Sequence, residues 1–192
     1  MAKKYEFKPD KPRSGLLSKL YLTPKQRLSL LKWLLYTVLL LALSVLQDVL
    51  LCRVRLFGAT TELVPCGIFL ICLAEGLESG CVLALVASCL YLFSGTAAGN
   101  YSIVLITGLA VLVTFLRQSY LQKNFGSTML CASAAIILYE LGVFAFGLFL
   151  SQTLPGRIGG FLLTAVMTLL TAPALYPLIK SISKIGGETW KE

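Results

Sequence analysis

The sequence predicts an all-α membrane protein: a polytopic bundle of six transmembrane helices, or five, with both chain ends on the cytoplasmic side. Three observations carry this. Of 192 residues, 57% are hydrophobic and only 14% are charged, and the charges gather at the ends of long uncharged stretches. Soluble domains carry roughly 25% charged residues, and a soluble core cannot enclose this much apolar surface. Mean hydropathy is +0.82. A bilayer core about 30 Å thick takes ~20 apolar residues per helix, so the uncharged stretches can be counted as crossings.

Residues 1–22 form a polar, basic tail in which Pro9 and Pro12 discourage a continuous helix. Thr23, Pro24 and Gln26 then make a helix start, with Thr as N-cap, Pro at the first helical position and Gln able to bond back. No small-residue cleavage site follows the first apolar run, so that run is expected to stay as an anchor. It extends from Leu28 to Leu46, broken only by Lys32, which is close enough to the cytoplasmic edge to snorkel. The connection after Gln47 and Asp48, with Arg53, Arg55 and Gly58, is expected on the outer face.

From residue 56 to residue 116 there is no basic residue, and Glu62, Glu75 and Glu78 are the acids. Turn signals at Glu75–Gly80 and Ser94–Asn100 divide this stretch into apolar blocks Leu63–Ala74, Cys81–Phe93 and Tyr101–Leu116. The first two are short for spans, which leaves a re-entrant or strongly buried arrangement open for them. A polar turn containing Arg117 and Lys123 precedes a fifth block, Met129–Leu150. The Pro155-Gly156-Arg157 turn precedes the last, Ile158–Ile179, and residues 186–192 form a short cytoplasmic tail. The membrane domain is therefore 23–185.

Charge sets the orientation. Nine of the seventeen Lys and Arg residues precede Trp33, including the cytoplasmic flank of Lys25, Arg27 and Lys32. Six crossings leave fourteen basic residues inside and three outside, whereas five would put the C-terminal lysines outside, against the positive-inside rule. The net charge of +8 sits at the chain ends without a nucleic-acid recognition motif, so nucleic acid is not an expected partner and membrane lipid is.

Catalytic chemistry is not expected. Histidine is absent, which removes H-E-x-x-H and any His general base, and neither G-x-S-x-G nor G-x-x-x-x-G-K-[ST] occurs. Asp10 and Asp48 are the only aspartates. The six cysteines show no C-x-x-C pair and lie mostly in apolar runs, so they read as small hydrophobic residues; no metal or other cofactor is expected.

A few positions invite a functional reading. Glu140 lies mid-span, where an acid costs about 2.5–3.5 kcal/mol unless it faces protein or water. It is expected to point inward, as a contact for a substrate, ion or partner or as a hydrogen-bonded link between helices. Glu75 and Glu78 are expected in a solvated loop. Gly76, Gly80 and Ala84 recur at four-residue spacing, as do Gly95 and Gly99, a pattern that strips a helix face for close packing or partner contact.

The chain resembles the MreD family of bacterial rod shape-determining membrane proteins over roughly Leu46 to Ile185. The resemblance rests on Leu46-Gln47 closing the first span, Thr61-Glu62-Leu63-Val64-Pro65, the Gly76, Gly80 and Ala84 series, Gly95 and Gly99 before span four, and Pro173-Ala174-Leu175-Tyr176-Pro177-Leu178-Ile179. Members often carry an Asp at the end of the third span, and Ala87–Gly95 holds no acid. The resemblance implies a non-catalytic subunit of the cell-elongation machinery in the bacterial cytoplasmic membrane. Its implied partners are MreC and, through it, MreB and the peptidoglycan synthases. The substrate-binding S component of an energy-coupling-factor vitamin transporter is similar in size and span number. Those proteins share a small-x-x-x-small series on the first span, which Tyr36–Leu46 lacks.

Overall fold

A computed structural model describes residues 24–51, 59–120 and 124–185, and every element among them is helical. Both tails, the cap at Thr23, Arg53, Arg55 and Lys123 lie outside the described residues. Six α-helices follow one another: α1 (Pro24–Leu46), α2 (Leu63–Glu75), α3 (Leu77–Phe93), α4 (Tyr101–Tyr120), α5 (Phe125–Phe149) and α6 (Ile158–Ser183). A wide π turn, Gln47–Leu51, prolongs α1, and a single 3₁₀ turn, Pro155–Arg157, leads into α6. Each apolar block of the sequence falls in one helix.

Local chemistry sets the breaks. Gly76 separates α2 from α3 with φ 93° and ψ −176°, a conformation that a side chain makes costly. Its N–H closes α2 on the Cys72 carbonyl at 3.0 Å, and its carbonyl accepts the Gly80 N–H at 3.0 Å to open α3. Pro173 and Pro177 lie inside α6 rather than ending it. Proline is tolerated in membrane helices, where neighbouring groups satisfy the freed carbonyls.

Pairwise contacts give the directions. Gln47, just past α1, bonds the start of α2 at Val64, while Lys32 near the start of α1 meets Glu75 at the end of α2. Tyr91, near the end of α3, returns to Glu62 beside the start of α2. The Arg117 guanidinium, near the end of α4, donates to the Leu73 carbonyl. Tyr101 of α4 stacks on Phe146 of α5 at 5.4 Å, and Phe125 of α5 meets Tyr176 of α6 edge-on at 4.9 Å. The helices thus alternate in direction, and Pro24 and Ile185 belong to the same end of the bundle, here the Lys32 end; the opposite one is the Gln47 end.

The core is built around α2, which touches all five other helices. Every residue from Leu63 to Leu73 is buried. At thirteen residues α2 is only about 20 Å long, and α3, with seventeen, about 26 Å. Of the two arrangements open for the short blocks, α2 takes the strongly buried one, whereas α3 turns Val82, Leu85, Val86 and Leu90 outward. Gly80 makes the α2–α3 approach possible: a Cβ there would lie 3.0 Å from Cys72 Cα and 3.1 Å from its carbonyl oxygen.

The outside is as apolar as the inside. Leu34, Val38, Val45, Val82, Val104, Leu130, Leu170 and Leu178 are all more than half exposed. Monomeric soluble proteins rarely show such continuous apolar surface. Four stretches, Gln26–Val49, Tyr101–Tyr120, Phe125–Phe149 and Pro155–Ser183, are long and apolar enough to cross a bilayer. The chain is a helical membrane protein.

Candidate functional site

Because α2 is short, its first turn lies inside the bundle, and its free amides need partners there. Two other helices supply them. The Glu62 N–H donates to Thr168 Oγ1 of α6 at 3.0 Å, and the Val64 N–H donates to Gln47 Oε1 at 3.0 Å. Thr168 stands ten residues past Ile158, so α2 begins about 15 Å below the α6 N-terminus. The Gln47 amide also donates to the Tyr91 hydroxyl at 3.4 Å, which donates in turn to Glu62 Oε2 at 3.3 Å. Gln47, Tyr91 and Thr168 are all buried, so α1, α2, α3 and α6 meet in one polar joint.

Above this joint the bundle leaves a cavity of about 510 Å³ toward the Gln47 end, lined by Thr60, Glu62, Glu140, Arg157, Gly160, Phe161 and Thr164. Glu140 reaches it from α5, nine residues or about 14 Å along the axis before that helix ends. It is 2% exposed, and its Oε1 has no hydrogen-bond partner among the described residues. Glu62 is partly exposed and lines the same space. Arg157, exposed in the turn before α6, supplies the cation. The polar groups of the cavity are therefore two carboxyls, two threonine hydroxyls and one guanidinium.

A second feature opens sideways. Helices α1 and α3 both pack on α2 but barely touch one another. Between them runs an apolar groove of about 430 Å³, walled by Trp33, Leu40 and Leu41 on one side and Val82, Val86 and Leu90 on the other, with Val64 at its floor. Thr37, Ser44 and Ser94 give it scattered hydroxyls.

At the Lys32 end a third polar cluster closes the bundle. Lys32 Nζ lies 2.5 Å from Glu75 Oε2, and the Tyr36 hydroxyl donates to Glu75 Oε1 at 2.6 Å. The Lys32 and Glu75 side chains are only 14% and 8% exposed. Arg117 covers the neighbouring Leu73 carbonyl, a free acceptor of the last turn of α2.

The residues singled out by sequence are scattered over these features. Glu140 is in the cavity; Gly80 and Ala84 lie on the α3 face packed against α2; Gly76 forms the break between those helices. Gly95 and Gly99 belong to the link between α3 and α4, not to a helix face, and Gly95 has φ 79°. Lys25 and Arg27 fall in the first turns of α1, and Lys32 is the base of the buried pair. Glu75, expected in a solvated loop, is instead the last residue of α2 and mostly buried, because α1 brings a lysine and a tyrosine to it. Sequence reasoning did not find Thr60, Arg157 and Thr164 as cavity residues, nor Glu62 and Gln47 as interacting groups. An available signal was Glu62 standing three residues before Pro65, an acid and a proline in a helix's first turn.

No family model, no curated protein and no solved structure matches this chain.

Proposed function

We propose that this chain is a non-catalytic membrane subunit of the bacterial cell-elongation machinery, of the MreD type. In this reading it crosses the cytoplasmic membrane six times with both ends inside, and it organises peptidoglycan synthesis by gathering MreC and, through it, MreB and the synthases. One observation carries the reading. Three of the features that resemble the family meet at α2: Gln47 caps it, Glu62 to Pro65 open it, and Gly80 and Ala84 let α3 lie against it. Shared residues that hold a scaffold together, with no catalytic motif among them, fit a protein that works by presenting helix surfaces. The up-and-down order, with Pro24 and Ile185 at one end, supports an even number of crossings. A transmembrane helix of the partner would occupy the groove between α1 and α3, where close side-chain packing replaces lipid.

The decisive experiment is depletion in a rod-shaped host. The expected result is rounding, with restoration by the wild-type chain and loss of restoration when Val86 in the groove is replaced by Trp. Unchanged shape after depletion would overturn the assignment. Tags on the two termini should both be reached only from the cytoplasm; opposite faces would refute the six-span topology.

The cavity favours a second reading, the S component of a vitamin transporter, since acceptors deep in a bundle are what a solute site requires. Loss of vitamin uptake with normal cell shape after depletion would select it.

A further inference from the structure

The cavity at the Gln47 end holds two carboxyls on its floor, with its guanidinium apart at the mouth. Glu140 Oε1 is buried without a partner, Glu62 faces the same space, and the hydroxyls of Thr60 and Thr164 are the neutral groups on its walls. A buried acceptor left without a donor is costly, so a molecule that brings N–H or O–H groups to the floor would complete this site. The site is also asymmetric. Its acids are deep, while its one cation, Arg157, stands at the mouth seven residues before Thr164, about 10 Å away along α6.

Such a gradient selects a molecule with a positive head and a negative group a short distance behind it. Three N–H donors of a primary ammonium match the Glu140 and Glu62 oxygens and a threonine hydroxyl, with the Phe161 ring available on the wall. The Arg157 fork suits a phosphate or carboxylate. A volume of about 510 Å³ holds more than an ion, and no group of three or more candidate metal ligands occurs among the described residues.

We propose that this cavity binds a small zwitterionic group, a primary ammonium seated on Glu62 and Glu140 and an anionic group held by Arg157 at the mouth. The chemistry is shared by the phosphoethanolamine headgroup of a lipid and by a free phosphoethanolamine or amino acid. The inference goes beyond the elongation reading and does not depend on it, because it concerns occupancy of a cavity in the isolated protein, not cell shape.

The full-length protein in nanodiscs of phosphatidylglycerol, which has no amine, would be melted with phosphoethanolamine, ethanolamine or inorganic phosphate. A parallel sample would carry phosphatidylethanolamine, with retained lipid read by native mass spectrometry. Phosphoethanolamine is expected to raise the melting temperature, and Glu140→Gln to weaken it as a ligand about tenfold or more. Arg157→Gln, at an exposed position, is expected to weaken phosphoethanolamine while leaving ethanolamine unchanged. Stabilisation by the soluble probe identifies a free solute; selective retention of phosphatidylethanolamine without it identifies the headgroup; either supports the site. No effect from both sources, equal binding by Glu140→Gln, or stabilisation by magnesium or calcium alone would overturn it. Should Glu140→Gln fail to fold, the Arg157→Gln comparison decides: equal loss for both amines, or, where neither soluble amine binds, phosphatidylethanolamine retained as in wild type, sinks the proposal.

Discussion

Replacing Lys32 by Met tests how completely the protein encloses the end of α2. In the structure the Lys32 and Glu75 side chains are 14% and 8% exposed, and Glu75 accepts from Lys32 at 2.5 Å and from Tyr36 at 2.6 Å. Removing the ammonium leaves a largely buried carboxylate with one neutral donor. Breaking a buried ion pair from one side costs about 3–5 kcal/mol, or roughly two to four powers of ten in the folding equilibrium. The double variant Lys32→Met/Glu75→Leu carries no orphaned charge, but the Tyr36 hydroxyl, on a fully buried residue, loses its acceptor at a cost of about 1–3 kcal/mol. Adding Tyr36→Phe removes that cost, so the triple variant should return close to wild type. The coupling between positions 32 and 75 should accordingly be at least about 3 kcal/mol, against about 0.2–1 for an exposed pair. The assay is a thermodynamic cycle from reversible SDS unfolding in mixed micelles. Trp33 reports, since it sits next to Lys32 in sequence and 6.5 Å from the Tyr36 ring, and Trp190→Phe silences the other tryptophan. Coupling below about 1 kcal/mol would mean that the pair is hydrated, and the enclosure argued for α2 would be wrong.

Three further perturbations probe other joints. Gly80→Ala should destabilise, by about 1–2 kcal/mol once the gain in helix propensity is subtracted, because its Cβ would press on Cys72 backbone; Gly108→Ala, in open space on α4, should be neutral or stabilising by up to about 1 kcal/mol. Melting the two variants side by side checks the sign, and equal behaviour would count against the tight α2–α3 approach. Gln47→Leu leaves the Val64 N–H and the Tyr91 hydroxyl without their partner, so a loss of about 2–4 kcal/mol is expected in the same SDS titration, with an unchanged midpoint refuting the joint. Arg117→Met uncovers the Leu73 carbonyl, and hydrogen exchange at the last turn of α2 should quicken about tenfold; equal protection in variant and wild type would assign that carbonyl another donor.

The boundaries of the elements were legible because lipid demands uncharged length and glycine and proline punctuate it. Blocks Leu63–Ala74 and Cys81–Phe93 correspond to α2 (Leu63–Glu75) and α3 (Leu77–Phe93), and Tyr101 opens both the predicted and the observed fourth helix. The inward faces were not legible. A soluble helix shows which side is buried by its polarity, whereas Leu130, more than half exposed on α5, and Ile136, buried on the same helix, are equally apolar. The shortness of the uncharged block Leu63–Ala74 allowed a strongly buried α2, but its enclosure by five neighbours emerges only from packing. Glu140 was traceable because a lone acid in a span must turn inward. Its partner in the cavity, Glu62, looked like a loop acid, and Arg157 looked like a turn residue, because their meeting depends on residues 78 and 95 positions apart being brought together by three helices.

The brevity of α2 also has a consequence for biogenesis. Thirteen residues do not reach across the hydrocarbon, and polar amides at their leading end would stay bare in lipid. On the six-span reading this piece enters as a hairpin with α3, hinged at Gly76, and remains incompletely satisfied until Thr168 arrives from more than a hundred residues downstream. A chain truncated before α6 would expose that defect, making a helix from the far end of the bundle's sequence the one that certifies the first half as finished.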